Sequence, residues 1–114
     1  MPKDGAIDYI ELPASDIPAT KTFYGSVFGW SFVDYGPDYV AFSFEGRDGG
    51  FNAERKVIST GGPLLVLYAN DLDAMEKKVR DAGAEIVSRE TFTGGRRFHF
   101  RDPNGNEIAV WTKG

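Results

Sequence analysis

The clearest hydrophobic pattern in the chain lies near its end. From Arg97 to Trp111 the sequence reads R-F-H-F-R-D-P-N-G-N-E-I-A-V-W. Phe98 and Phe100 alternate with Arg97, His99 and Arg101. Ile108 and Val110 alternate with Glu107, Ala109 and Trp111. A period of two puts successive side chains on opposite faces of a sheet. The stretch therefore predicts a hairpin with one apolar face and one face that is charged and aromatic. Asp102-Pro103-Asn104-Gly105 supplies the reversal, because Pro fixes φ and Asn and Gly tolerate positive φ.

The rest of the chain reads in the same way. Ile7 to Leu12 predicts a strand, with Ile10 and Leu12 on one face and Tyr9 and Glu11 on the other, stopped by Pro13. Asp16 is placed to cap a helix, with Pro18 in the first turn, where its missing N–H is harmless. Ile17, Thr20, Phe23, Tyr24, Val27 and Phe28 recur at three- and four-residue spacing, and Gly29 stands where such a helix ends. Strands follow at 30–35 and 39–44, around a turn at 36–38. Residues 45–50 read as a turn-rich loop, and 51–54 as a short fourth strand. A connector covers 55–63. Leu64 to Ala69 is almost continuously apolar, which predicts a strand buried on both faces. Asp71 caps a second helix with Leu72, Met75, Val79 and Ala82 on its stripe, closed by Gly83. A strand at 84–89 and a mobile Gly/Thr loop at 91–95 lead into the hairpin.

The two halves repeat one another. Ala14-Ser15-Asp16-Ile17 corresponds to Ala69-Asn70-Asp71-Leu72, and each half runs strand, Asp-capped helix, glycine, strands. A half of this size exposes one sheet face and cannot stand alone. The expected organisation is one α+β domain over 1–114, built from half-modules 1–54 and 64–114. Pairing them predicts a larger curved mixed sheet with helices on the outer face. Its cupped inner face is the default place for a ligand.

Composition narrows the possibilities. A chain of 114 residues suits one domain with a real core. It has no cysteine, so disulfides and thiolate metal sites are excluded. A net charge of -4 argues against non-specific nucleic-acid or anionic-membrane binding. The N-terminus lacks the apolar run of a signal peptide, and a cytoplasmic protein is expected. Nine Phe, five Tyr and two Trp suit a sheet-rich core and leave some rings to line a pocket.

Four stretches together resemble the vicinal oxygen chelate superfamily, which includes glyoxalases, bleomycin resistance proteins and extradiol dioxygenases. They are I-D-Y-I-E-L-P-A-S-D, F-Y-G-S-V-F-G-W, A-N-D-L-D-A-M-E-K-K-V-R-D-A-G-A and F-R-D-P-N-G-N-E-I-A-V-W. They run in order along nearly the whole chain, and the small two-module, glyoxalase-like branch is the nearest match. The resemblance implies tandem βαβββ modules and, for metal-using members, a divalent ion held by His, Gln or Glu from the first and last strands of each module.

Carried over one position at a time, the first-strand ligands fall at Tyr9 and Leu64. The last-strand ligand of the second module falls at Ala109, where metal-using relatives carry Glu. Its counterpart in the first module falls at Glu54 or Ala53. Leu64 and Ala109 offer no donor atom, and a Tyr9 phenol must lose a proton to bind a metal. Glu54 is the only metal candidate left. The resemblance therefore implies a fold without the family's metal chemistry, and no cofactor is expected.

The polar face then carries the functional expectation. His99, the only histidine, is a candidate ligand contact or general acid/base with Glu11, Glu107 or Tyr9 nearby. The alternative is a partly exposed histidine on a polar strand. Arg97 and Arg101 are placed to clamp a carboxylate or phosphate, or to pair with local acids such as Glu107. Tyr9, Trp111, and Trp30 or Tyr68 are candidate aromatic walls, with Trp111 as a simple sheet cover the alternative. Glu11 is read as a salt-bridge partner or a recognition carboxylate. The expected function is metal-free binding of a small organic molecule by Tyr9, Glu11, Arg97, His99, Arg101 and Trp111. The alternative is a metal-independent isomerase or lyase using His99 or Tyr9 for proton transfer. A metal-dependent lyase or dioxygenase ranks below both. A homodimer is expected, because members of the family it resembles often dimerise.

Overall fold

The computed structural model describes residues 3–114. The chain divides into two compact units, one ending at Lys56 and the other spanning Val57–Gly114. Unit one contains β1 (Ile10–Pro13), α1 (Ile17–Phe28), β2 (Ser31–Asp34), β3 (Tyr39–Phe44) and β4 (Arg47–Asn52). Unit two contains β5 (Leu65–Tyr68), α2 (Leu72–Asp81), β6 (Glu85–Phe92), β7 (Gly95–Arg101) and β8 (Glu107–Lys113). The fold is α+β, with tandem βαβββ modules. Hydrogen-bonded strands form two four-stranded sheets, ordered β1-β4-β3-β2 and β5-β8-β7-β6, rather than one larger sheet. In each sheet the first strand lies parallel to the last, and the other pairings are antiparallel.

Both helices start where their caps place them. The Asp16 carboxylate accepts the Ala19 N–H at 3.0 Å, and Asp71 accepts the Ala74 N–H at 3.0 Å. Each cap contributes about 1 kcal/mol. Gly29 closes α1 in the left-handed region (φ 76°), its N–H donating to the Gly25 carbonyl. Helix α2 stops at Asp81, so Ala82 lies outside it and is exposed rather than on the apolar stripe.

Three stretches differ from the expectation, each for a physical reason. Strand β1 starts at Ile10, where its first partner on β4, Gly49, appears, and it includes Pro13. Strand β1 is a sheet edge, where proline costs no ladder bond. Residues 45–50 are not a loop. The reversal takes only Glu45 and Gly46, both at positive φ (51° and 76°), and β4 begins at Arg47. This is the backbone of a two-residue hairpin turn. Gly49 and Gly50 look like loop residues but are strand residues under close approach. A Cβ on Gly49 would collide with the Phe42 ring and the Ile10 carbonyl, and one on Gly50 with the phenols of Tyr39 and Tyr9. Likewise the expected mobile loop at 91–95 is mostly strand. Thr91 and Phe92 pair with Arg96 and Gly95, leaving a reversal at Thr93-Gly94 with Gly94 at φ 103°.

The core of unit one is a stack of rings. Tyr24 stacks on Trp30 (4.5 Å, 14°), and Trp30 stacks on Phe42 (4.4 Å, 19°). Phe51 packs against Tyr24 and Phe42 at 5.1 and 5.4 Å. Each such pair adds about 0.5–1.5 kcal/mol beyond burial. Trp30 is therefore committed to the core and is not available as a ligand wall. In unit two Phe98, Phe100, Ile108 and Val110 are buried with Leu72 and Val79 of α2. Glu76 of α2 accepts from Arg89 of β6 at 2.9 and 2.7 Å, and this bond holds the Glu76 carboxyl below its ordinary range. Strand β5 does not bury both faces: Leu65 and Leu67 alternate with Val66 and Tyr68, which are 42% and 43% exposed. Helix α2 covers only one side of its sheet.

Candidate functional site

The alternation of β7 and β8 puts Arg97, His99, Arg101, Glu107, Ala109 and Trp111 on the face of sheet two turned away from α2. Cross-strand register arranges them in rows. One row runs Tyr68, Trp111, Arg97, Glu90 across all four strands. The next runs Val66, Ala109, His99, Ser88. The first row is aromatic at one end and ionic at the other. Tyr68 meets Trp111 edge-on at 5.2 Å, and Phe92 lies 6.4 Å from Trp111.

His99 is not the partly exposed residue of the alternative reading; it is 5% exposed. Its Nδ1 lies 2.6 Å from Glu107 Oε2, a distance at which the ring N–H donates to the carboxylate. Its Nε2 lies 3.4 Å from Glu90 Oε2 and makes no hydrogen bond. Arg97 Nη2 approaches the other oxygen of the same carboxylate, Glu90 Oε1, at 3.3 Å, while Arg97 Nε is buried without a partner. Glu90 thus faces two neighbouring cation-forming groups and satisfies neither fully. Arg101 is spent on the backbone. It donates to the Ser59 and Gly105 carbonyls, and Glu107 Oε1 is 3.9 Å away.

The hairpin turn below this face is built on Asp102, whose side chain is buried. Its Oδ1 accepts the backbone N–H of Asn104 and of Asn106, both at 2.9 Å. Its Oδ2 accepts the side-chain amide of Asn106 at 3.1 Å and that of Asn104 at 3.4 Å. The Asp102 N–H donates to the Asn106 carbonyl at 2.9 Å, closing the loop. Only Gly105 takes positive φ here (92°); Asn104 serves through its buried amide instead.

The corresponding face of sheet one carries Tyr9, Glu11, Tyr39, Gly50 and Asn52. The Tyr9 and Tyr39 hydroxyls share a hydrogen bond of 2.7 Å over Gly50. Burial, with the bonds to Tyr9 and Glu11, pushes the Tyr39 phenol far above its ordinary value. Glu11 accepts from Asn52 at 3.3 Å, with Arg55 at 3.8 Å.

The model of one protein family matches residues 6–110, that described as the Glyoxalase/Bleomycin resistance protein/Dioxygenase superfamily. The chain belongs to this superfamily. The anthracycline biosynthesis protein DauV of Streptomyces sp. (strain C5) is 30% identical over 96% of the chain. The chain spans about half of that relative, 48% of its length. The integron cassette protein VCH_CASS1 of V. cholerae is 28% identical, with a TM-score of 0.72 over 98% of both chains. A lactoylglutathione lyase from Agrobacterium tumefaciens shares the fold at a TM-score of 0.76 and 22% identity, over 96% of this chain and 95% of its own.

The donor chemistry at the positions corresponding to the superfamily's metal ligands does not fit an ion. Ala109 presents a buried methyl, Leu64 an alkyl group, and the Tyr9 hydroxyl is already bonded to Tyr39. Glu54 is exposed at the end of β4, its N–H donating to Asn52. Among the described residues, no group of three or more His, Cys, Asp or Glu side chains is arranged to hold a metal ion.

Two residues that sequence reasoning did not single out belong to these faces. Tyr39 is recoverable, because it alternates with the core residues Val40 and Phe42. Glu90 is not. It lies in the polar run S-R-E-T, where no hydrophobic rhythm marks the faces, and a register shift between Ile86 and Ser88 resets the alternation.

The turn yields a direct expectation. Replacing Asp102 by Ala leaves two backbone N–H groups without their buried acceptor, and stability should fall by about 3 kcal/mol. Urea unfolding measures this. A loss below about 1 kcal/mol would show that the turn is held by something other than the carboxylate.

Proposed function

We propose that this protein binds a small organic molecule, without a metal, against a sheet face turned away from its helix. The ligand-contacting groups on sheet two are Arg97, His99 and Trp111; on sheet one, taken by itself, the candidates are Tyr9 and Glu11. Arg101 frames the site through its backbone bonds. The observation that carries the reading is the Tyr68–Trp111–Arg97–Glu90 row, an aromatic floor running into a partly exposed charged pair. A planar ring stacks on the first part, and a polar substituent meets the second. The superfamily's description and the name of DauV support a ligand of this kind.

A planar-aromatic panel titrated against the protein tests the reading. Binding should quench the half-buried Trp111 and survive dialysis against EDTA, and Trp111→Ala should weaken it at least tenfold, as measured by calorimetry. No binding from any compound at millimolar concentration, or binding abolished by EDTA and restored by a divalent metal, would overturn the reading.

A second reading, a metal-independent isomerase or lyase, is favoured by the His99–Glu107 pair. With the ring hydrogen on Nδ1, the unpartnered Nε2 is free to accept a substrate proton. In that case His99→Asn should lower turnover of an identified substrate by orders of magnitude while ligand retention changes far less. An unchanged rate would exclude His99 as the base.

A homodimer is part of the same proposal. Light scattering at micromolar concentration should give twice the 12.6 kDa of one chain, and a monomer mass would refute it.

A further inference from the structure

Two buried nitrogen atoms on sheet two have no hydrogen-bond partner: Arg97 Nε and His99 Nε2. They belong to residues two apart on β7, so they stand side by side on one face. Arg97 Nε–H is a donor whatever the protonation of His99, and a buried donor without an acceptor is costly and in a native structure calls for a reason. The Glu90 carboxylate lies beside this pair, its two oxygens 3.3 Å from Arg97 Nη2 and 3.4 Å from His99 Nε2. A carboxylate is thus already at the right place but too far for good bonds. Glu90 is anchored loosely. It sits on β6, an edge strand, and its side chain is half exposed, whereas the His99 side chain is almost wholly buried. Glu107, by contrast, is held at 2.6 Å by His99 Nδ1.

We propose that the Arg97–His99 pair is a carboxylate subsite, and that Glu90 is an internal stand-in which a ligand's own carboxylate displaces. The subsite deepens the ligand-binding reading above and rests on it. The incoming carboxylate accepts from Arg97 Nε–H and His99 Nε2–H, and Glu90 swings toward solvent. His99 binds it as the imidazolium, with Nδ1–H kept on Glu107. The row Tyr68–Trp111–Arg97 sets the rest of the ligand: an aromatic body stacked on Trp111, with the carboxylate at its edge. A cationic ligand is disfavoured, because both carboxylates of the face already meet cation-forming groups.

Three probes of one shape test this: 1-naphthoate, its neutral isostere 1-naphthamide, and cationic 1-naphthylmethylamine. Affinities come from calorimetry on the full chain. The single histidine gives one set of imidazole ¹⁵N signals, which report Nε2 directly. The wild-type protein should prefer naphthoate over naphthamide at least tenfold, and only naphthoate should shift the Nε2 signal. Arg97→Gln should abolish that preference. Glu90→Gln should raise naphthoate affinity severalfold and leave naphthamide unchanged, whereas a Glu90 that merely braces Arg97 would give weaker binding when replaced. Melting curves confirm that both exposed-side variants fold. Equal binding of naphthoate and naphthamide with the Trp111 response intact would overturn the carboxylate subsite and leave small-molecule binding standing. Absence of naphthoate binding, or weaker binding by Glu90→Gln, would also overturn it.

Discussion

The second module depends on the carboxylate of Asp102. Within five residues the chain must reverse, and a buried reversal leaves polar backbone groups that water cannot reach. Asp102 meets that demand by accepting two backbone N–H groups and two side-chain amides, while its own N–H closes onto the Asn106 carbonyl. Fixing the turn fixes register. Phe98 then faces Val110, His99 faces Ala109 and Arg101 faces Glu107. A slip of one residue would send Phe98 and Phe100 away from α2 and drive Arg97, His99 and Arg101 into the core. The polar turn therefore decides where the apolar core lies and what the opposite face displays.

Within each module the adjacency of first and last strands does the rest. Parallel pairing of β5 with β8 brings Tyr68 beside Trp111, and pairing of β1 with β4 brings Glu11 beside Gly50. The same topology yields different surfaces because the side chains differ. In sheet one, two phenols fold over a glycine that has no side chain to resist them. In sheet two, the rings of Tyr68 and Trp111 lie side by side on β5 and β8, and Arg97 and Glu90 continue the row on β7 and β6. A helix on one side makes the burial of that side obligatory and leaves the other free to vary, so the chemistry collects there.

Much of this was legible in the sequence because burial imposes rhythm. The hairpin faces, both Asp caps, the Gly29 helix end, β3 and the repeat all follow from period and capping chemistry. What escaped had no rhythm to read. Arg47-Asp48-Gly49-Gly50 has loop composition, yet its glycines are there because Phe42, Ile10, Tyr39 and Tyr9 crowd a strand. Leu64–Ala69 looks buried on both faces because Val66 and Tyr68 are apolar, although they belong to the non-helix side. Trp30 could be assigned to core or pocket only once Tyr24 and Phe42 were seen to stack on it. Glu90 depended on a register shift that leaves no mark in composition. Positions set by one element were readable; positions set by two elements meeting were not.

The charged face of sheet two asks for a reason that folding does not supply. Its only buried ionisable member is His99, while Arg97, Glu90 and Glu107 stay partly exposed, and drawing polar groups part-way out of water offsets much of the attraction between them. Neighbouring β7 positions show that this chain fills buried space with Phe98 and Phe100 where packing is the only demand. At Arg97 and His99 it instead buries nitrogen atoms that its own side chains leave partly unsatisfied. Glu107 is bonded tightly enough to orient the His99 ring, while Glu90 stands off at 3.3–3.4 Å. One carboxylate positions and the other merely occupies. An arrangement optimised for stability would draw Glu90 in or replace the cluster with apolar residues. An arrangement that must accept and release a ligand keeps its orienting bond short and its competing bond weak, which is the order of distances found here.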